Sequence, residues 1–105
     1  MGRKKVKVLL SRRAQRDLDE IYRYLAERSP AGLAKVDLKI FQSLKRLQEM
    51  PLSGHEVQEL SGRKYREVLV YHYRVIYRYL EAKGTVRILT IYHGRRFLSP
   101  AVLQG

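Results

Sequence analysis

The side chains of this sequence that can do chemistry are mostly cationic. Lys and Arg number 22 against 10 Asp and Glu, a net charge of +12. The excess is uneven: residues 60–105 carry net +7, with only Glu67 and Glu81 as acids, residues 12–59 are nearly neutral at +1, and residues 1–11 carry +4. Mixed-sign charge would suffice for solubility. The basic C-terminal half therefore reads as a surface for something anionic: nucleic acid, ribosome, membrane surface or an acidic protein. Within it, alternation along one strand-like run puts Arg74, Ile76, Arg78 and Leu80 on one side and Val75, Tyr77 and Tyr79 on the other, and a second run puts Arg87, Leu89, Ile91 and His93 on one side. Tyr65, Tyr73, Tyr77, Tyr79 and Tyr92 can stack bases beside those arginines, although core and cross-strand packing is the expected job for most. The absence of cysteine excludes disulfide scaffolds, thiol catalysis and Cys-based zinc sites. The three histidines, His55, His72 and His93, are scattered, so neither a metal site nor a cofactor is expected.

The elements that must position these residues follow from periodicity. Lys5–Leu10 alternates and reads as a strand. Ser11 is a good N-cap, because its hydroxyl can accept from an orphan N–H of the next turn. A helix is predicted over Arg12–Glu27, with Ala14, Leu18, Ile21, Tyr22 and Leu25 on one stripe. Asp17, Asp19 and Glu20 fall on other faces, in reach of Arg13, Arg16 and Arg23. Ser29-Pro30 opens a second helix, to Glu49, with Leu33, Val36, Ile40, Leu44 and Leu47 as its stripe, widened by Phe41. Met50-Pro51 stops it, since the residue before proline disfavours the α region. Pro51–Lys64 reads as an irregular loop. Tyr65–Tyr71, Tyr73–Leu80 and Thr85–His93 read as an antiparallel meander joined by short turns, with His72 in the first turn.

These elements make an α+β fold in a single domain of 105 residues: an N-terminal strand, then an antiparallel helical hairpin packed on a twisted antiparallel sheet, in the order β-α-α-β-β-β. The helices are expected to cover one face of the sheet and to leave the other open. Residues 1–5 read as a disordered basic end and Phe97–Gly105 as a C-terminal tail. No apolar run approaches the ~20 residues that span a bilayer. Met1–Lys7 is basic and leads into a strand, so no secretory signal and a cytoplasmic location are expected.

The ordered motifs resemble a known family. They are A-x-x-D-L-D-E-I-Y-x-Y-L at Ala14–Leu25, M-P-L-x-G at Met50–Gly54, L-x-G-R-x-Y-R-E-V-x-V at Leu60–Val70, Y-R-V-I-Y-R at Tyr73–Arg78 and V-x-I-L-x-I-x-H-G-R-R at Val86–Arg96. Together they look like the RelE/ParE superfamily of type II toxin–antitoxin toxins, a group that includes plasmid stabilisation proteins. The resemblance implies the fold just derived and a small acidic antitoxin as partner. It also implies one of two targets: DNA gyrase for ParE-like members, or ribosome-bound mRNA, cut by RelE-like members. The helix-one wording and the long hairpin look more like ParE, and gyrase inhibition is the preferred expectation. A metal-independent endoribonuclease is the alternative, and a non-toxic nucleic-acid-binding module or decayed toxin is a third.

For the ribonuclease alternative, a base must take the 2′-hydroxyl proton, cations must steady the phosphorane and an acid must protonate the leaving oxygen. The resemblance assigns phosphate contact to Arg66 and Arg74, whose planar forks suit it. It assigns acid–base work to His93, whose ordinary pKa of ~6.5 allows both protonation states. Glu56, or His55 beside it, is the candidate base. The best-known RelE pattern is lysine-rich in this loop, whereas here only Arg63 and Lys64 follow, at its end. Arg63, Lys64, Arg78, Arg87, Arg95 and Arg96 are the candidates for gripping nucleic acid, target or antitoxin.

Overall fold

A computed structural model describes residues 6–60 and 64–94. Strand β1 is Lys7–Leu10, helices α1 and α2 are Arg12–Arg28 and Pro30–Glu49, and strands β2 to β5 are His55–Glu56, Arg66–Val70, Tyr73–Leu80 and Thr85–His93. The sheet order is β1-β5-β4-β3-β2.

Two serines define the helical hairpin. The Ser11 hydroxyl accepts from the Ala14 N–H at 3.0 Å and donates to the Leu89 carbonyl at 2.8 Å, so the cap of α1 also sews the helix to β5. Ser29 is at once the end of α1 and the start of α2. Its N–H donates to the Leu25 carbonyl at 2.7 Å, and its hydroxyl accepts from the Gly32 N–H at 3.0 Å. With Pro30 at the first helical position, one residue suffices to turn the chain.

The sheet is mixed, where the strand pattern predicts an antiparallel one. β1 pairs parallel with β5, from Lys7 opposite Thr85 to Leu10 opposite Ile88. The hairpin explains this. α2 returns the chain to the level at which β1 began, where the Val6 N–H donates to the Gln48 carbonyl at 3.3 Å. β3 then sets out in the direction of β1, and two reversals leave β5 parallel to it. The loop before β3 is also more ordered than its Pro and Gly content suggests: it holds β2, paired with β3, and a 3-10 turn at Gln58–Leu60.

Ala14, Val36, Ile40 and Leu47 from the helices pack on Val70, Val75, Tyr77, Val86, Ile88 and Ile91 of the sheet. The helix-facing parity of β4 is thus that of Val75 and Tyr77, and Arg74, Ile76, Arg78 and Leu80 occupy the second face. That face is only partly open. Val57 and Leu60 fold across it onto Ile76, flanked by Tyr65 and Tyr92. All five tyrosines singled out above pack against one core or the other.

Asp17 departs from the arginine pairing that its helix position suggests. Its carboxylate accepts from the Thr90 hydroxyl at 2.5 Å and from the Ile91 N–H at 3.0 Å. β1 ends before this point, so Asp17 satisfies the edge of β5 where a strand no longer does.

Tyr22 ties the two helices together by donating to Asp37 at 2.7 Å. Burial, then this hydrogen bond, hold its phenol well above the ordinary tyrosine range. Burial also raises Tyr77, against the lowering effect of its bond with Gly54. The native state therefore favours neutral phenols. That contribution is whole below the unfolded pKa of about 10 and is lost as pH rises through the higher native values. Melting temperature should fall between about pH 8 and pH 11, and Tyr22→Phe should narrow the difference; thermal scans at the two pH values measure it.

Candidate functional site

The structure divides the sequence candidates among separate places. Glu56 and Arg66 are opposite one another in the β2–β3 ladder. Arg66 donates to the Gly54 carbonyl at 2.9 Å, which fastens the 51–56 loop to the edge of the sheet. His93 stands at the far end of β5, opposite Tyr73. Its ring stacks on His72 at 6.4 Å and meets Tyr73 edge-on at 5.9 Å. Arg66 is opposite Tyr77, so it and His93 are four residues apart along β4. That is roughly 13 Å of strand, with two strand spacings added across the sheet. Arg74 projects from the second face and Arg66 from the helix-facing side. The four residues assigned to a ribonuclease centre do not converge on one reacting atom.

Arg74 is the most constrained charge among the described residues. It is only 8% exposed. Its Nη1 and Nη2 grip the two oxygens of Glu59 at 2.6 and 2.8 Å, and its Nε and Nη2 grip Glu67 at 2.9 and 2.5 Å. Glu67 reaches it as a diagonal neighbour, because Glu67 is opposite Ile76 and Leu69 opposite Arg74. Glu59 comes from the 3-10 turn. The bond to Glu59 is the largest influence on the guanidinium and holds its pKa above the ordinary arginine value, against the lowering effect of burial. An arginine bound by two carboxylates has its fork turned to protein and not to a phosphate. Sequence reasoning passed over Glu59 because it lies in a stretch that reads as loop.

Lys64 and Lys83 are exposed. Arg78 and Arg87 face each other directly across β4 and β5, and both are exposed. A cavity of about 940 Å³ opens beside the end of β4, with Lys64, Arg66, Arg78 and Lys83 in its wall. Arg63, Arg95 and Arg96 lie outside the described residues, as do residues 1–5 and the tail 97–105. Among the described residues there is no cluster of His, Asp or Glu able to hold a metal, and no helix is long and apolar enough to cross a membrane.

A helical hairpin on a mixed five-stranded sheet is the architecture of RelE/ParE superfamily toxins. The family profile for the ParE toxin of the type II toxin–antitoxin system parDE matches residues 8–97, and the chain belongs to that family. Solved structures agree on the fold. The RelBE2 toxin–antitoxin complex of Mycobacterium tuberculosis contains a chain that is 26% identical, with a TM-score of 0.59 over 85% of this chain and 98% of that one. A chain of the chromosomal ParDE system of P. aeruginosa is 22% identical, with a TM-score of 0.65 over 87% and 98%. A double-arginine mutant of the E. coli toxin RelE in the free state is 14% identical, with a TM-score of 0.59 over 87% and 85%. No curated protein sequence matches.

Proposed function

We propose that this toxin is neutralised by a cognate acidic antitoxin and arrests growth by inhibiting DNA gyrase through protein contact. The match of the ParE toxin profile to residues 8–97 carries this reading. The arrangement of Arg74 supports it, since a guanidinium held by Glu59 and Glu67 is poorly placed to steady a phosphorane. The antitoxin partner is supported by the similarity to a chain of a solved toxin–antitoxin complex. It also has a physical rationale: the surface is strongly basic, and Phe41, Leu38 and Tyr24 are exposed on the helices. An acidic chain that orders on docking would cover both features.

The test is direct. Expression without the antitoxin should arrest growth, with thymidine incorporation falling before methionine incorporation, and excess purified toxin should block supercoiling by purified gyrase. Unaffected supercoiling together with early loss of methionine incorporation would instead favour the ribonuclease reading. No growth arrest at all would favour a decayed toxin.

A further inference from the structure

We infer that the cleft between α2 and the outer edge of β3 binds the diphosphate group of a small phosphorylated ligand. A cavity of about 550 Å³ lies there, walled by α2 on one side and by the 53–55 segment and β3 on the other. Lys39, Ser43 and Arg46 stand at i, i+4 and i+7, so they share one face of the helix. His55 adds an imidazole from the facing wall. No described carboxylate lines this cavity, whereas Glu56 and Glu81 line the larger one beside β4. No described carboxylate pairs with Lys39 or Arg46 either. The two cations are therefore available to an anion from outside.

The facing wall adds neutral donors. Val70 and Tyr73 close a two-residue turn between β3 and β4. In such a hairpin the closing pair exchanges hydrogen bonds, and so do Val68 with Val75 and Arg66 with Tyr77, two and four residues back. Leu69 thus turns its N–H and C=O away from β4. Tyr65 has the same parity, and its carbonyl accepts from the Val57 N–H on that outer side at 3.2 Å. β2 begins at His55, opposite Glu67, so no described strand reaches Leu69. Its N–H is a donor at the edge of the cleft. Ser53 lines the same cleft, and its Oγ is buried with no hydrogen-bond partner. A buried hydroxyl without an acceptor is costly, and an anionic oxygen supplies one.

Spacing defines the occupant. Lys39 and Arg46 leave α2 about 10 Å apart along its axis. A single phosphate must draw both long side chains inward, at a cost in side-chain entropy. A diphosphate meets one cation with each phosphate group: the Arg46 fork bidentately, the Lys39 ammonium as a point charge. Val68 and Leu69 are the only large apolar side chains among the described residues of the wall. The site therefore selects by charge and not by an apolar body.

The test is calorimetric titration of the purified toxin at constant ionic strength with inorganic pyrophosphate, ADP, inorganic phosphate and a single-stranded oligonucleotide. Pyrophosphate and ADP should bind at least tenfold tighter than inorganic phosphate and should shift the amide resonance of Leu69. Lys39→Glu and Arg46→Glu should each weaken pyrophosphate binding at least tenfold, the loss expected when a charge-assisted hydrogen bond becomes a repulsion. Arg23→Glu, the same charge change on the exposed face of α1, should leave it within twofold. Equal losses in all three variants would reduce the interaction to bulk charge and overturn the proposal. So would an unmoved Leu69 resonance, or inorganic phosphate that binds as well as pyrophosphate. Binding of ADP without binding of pyrophosphate would place recognition on the nucleoside and would also overturn it. An oligonucleotide that displaces pyrophosphate and loses affinity in the same two α2 variants would reassign the cleft to a nucleic-acid backbone. None of these readouts needs toxic activity, so they decide the cleft whether or not gyrase is the target.

Discussion

Arg74→Ala should destabilise the fold by about 3–5 kcal/mol, because it removes the buried guanidinium that two partly buried carboxylates share. Glu59 and Glu67 keep 17% and 16% of their side-chain surface exposed, so water can compensate them only in part. Against a total stability of ~5–15 kcal/mol for a small domain, this is a large fraction. Urea unfolding followed by circular dichroism measures it. The cause is separable from loss of packing. If the lost pairing of the carboxylates with Arg74 carries the cost, replacing all three groups together, Arg74→Met with Glu59→Gln and Glu67→Gln, should recover most of the stability. If the triple variant is as unstable as Arg74→Ala, the penalty lies in the shape of the site and not in its charge. Arg74→Lys should fall between, since an ammonium keeps the charge but cannot span two carboxylates with a rigid fork. The result bears on function as well. A toxin that loses activity on Arg74→Ala has lost a staple between the 57–60 segment and β4, and its activity must be compared with that of the triple variant before any role at a phosphate is inferred.

Much of this fold is legible in the residues because the informative signals are local. The stripe Ala14 to Leu25, the Ser11 and Ser29 caps and the Met50-Pro51 stop depend on neighbours within a turn or two. The predicted second helix ends at Glu49, as observed. The same holds for the alternation in Tyr73–Leu80, which coincides with β4. What escapes a local reading is whatever depends on contacts far apart in sequence. The parallel pairing of β1 follows from where α2 returns the chain, and no residue in Lys7–Leu10 encodes it. Asp17 looks like a surface acid on a helix, and its use at the edge of β5 depends on β1 stopping short, 74 residues away from Ile91. Arg74 has the spacing of a cation on an open strand face, and only Glu59, 15 residues earlier, converts it into a buried ion triad. The site candidates suffered most from this. Arginine at alternate strand positions looks the same in a sequence whether it awaits a phosphate or has already been given a carboxylate. The face on which Val57 and Leu60 settle distinguishes the two.

The same loop supplies the second large effect. Gly54→Ala should cost roughly 2 kcal/mol or more, within the range for forcing an extra methyl into a packed region. A Cβ at this position would lie 2.6 Å from Tyr77 Oη, 2.7 Å from Tyr77 Cε1 and 2.7 Å from the Glu67 carbonyl oxygen. None of these can yield easily. Tyr77 is fully buried at the centre of β4, and the Glu67 carbonyl belongs to the backbone of β3. The tyrosine is further pinned by its own hydrogen bonds, accepting from the Gly54 N–H at 2.9 Å and donating to the Pro51 carbonyl at 2.8 Å. The loop must therefore lift away, and each lost bond adds about 1 kcal/mol. For a domain of this size, 2 kcal/mol lowers the melting temperature by roughly 8–16 °C, which a thermal scan resolves. Tyr77→Phe supplies the control. It removes the oxygen from the clash but leaves the ring and the Glu67 carbonyl, so Gly54→Ala should cost less in the phenylalanine background yet still be unfavourable. Strict additivity would mean that the loop relaxes away from the tyrosine at no cost. The loop also carries Leu52 and Glu56 into the wall of the cavity beside β4. Lifting it should also loosen the Arg66 hydrogen bond to the Gly54 carbonyl and the pairing of Glu56 with Arg66 at the edge of the sheet.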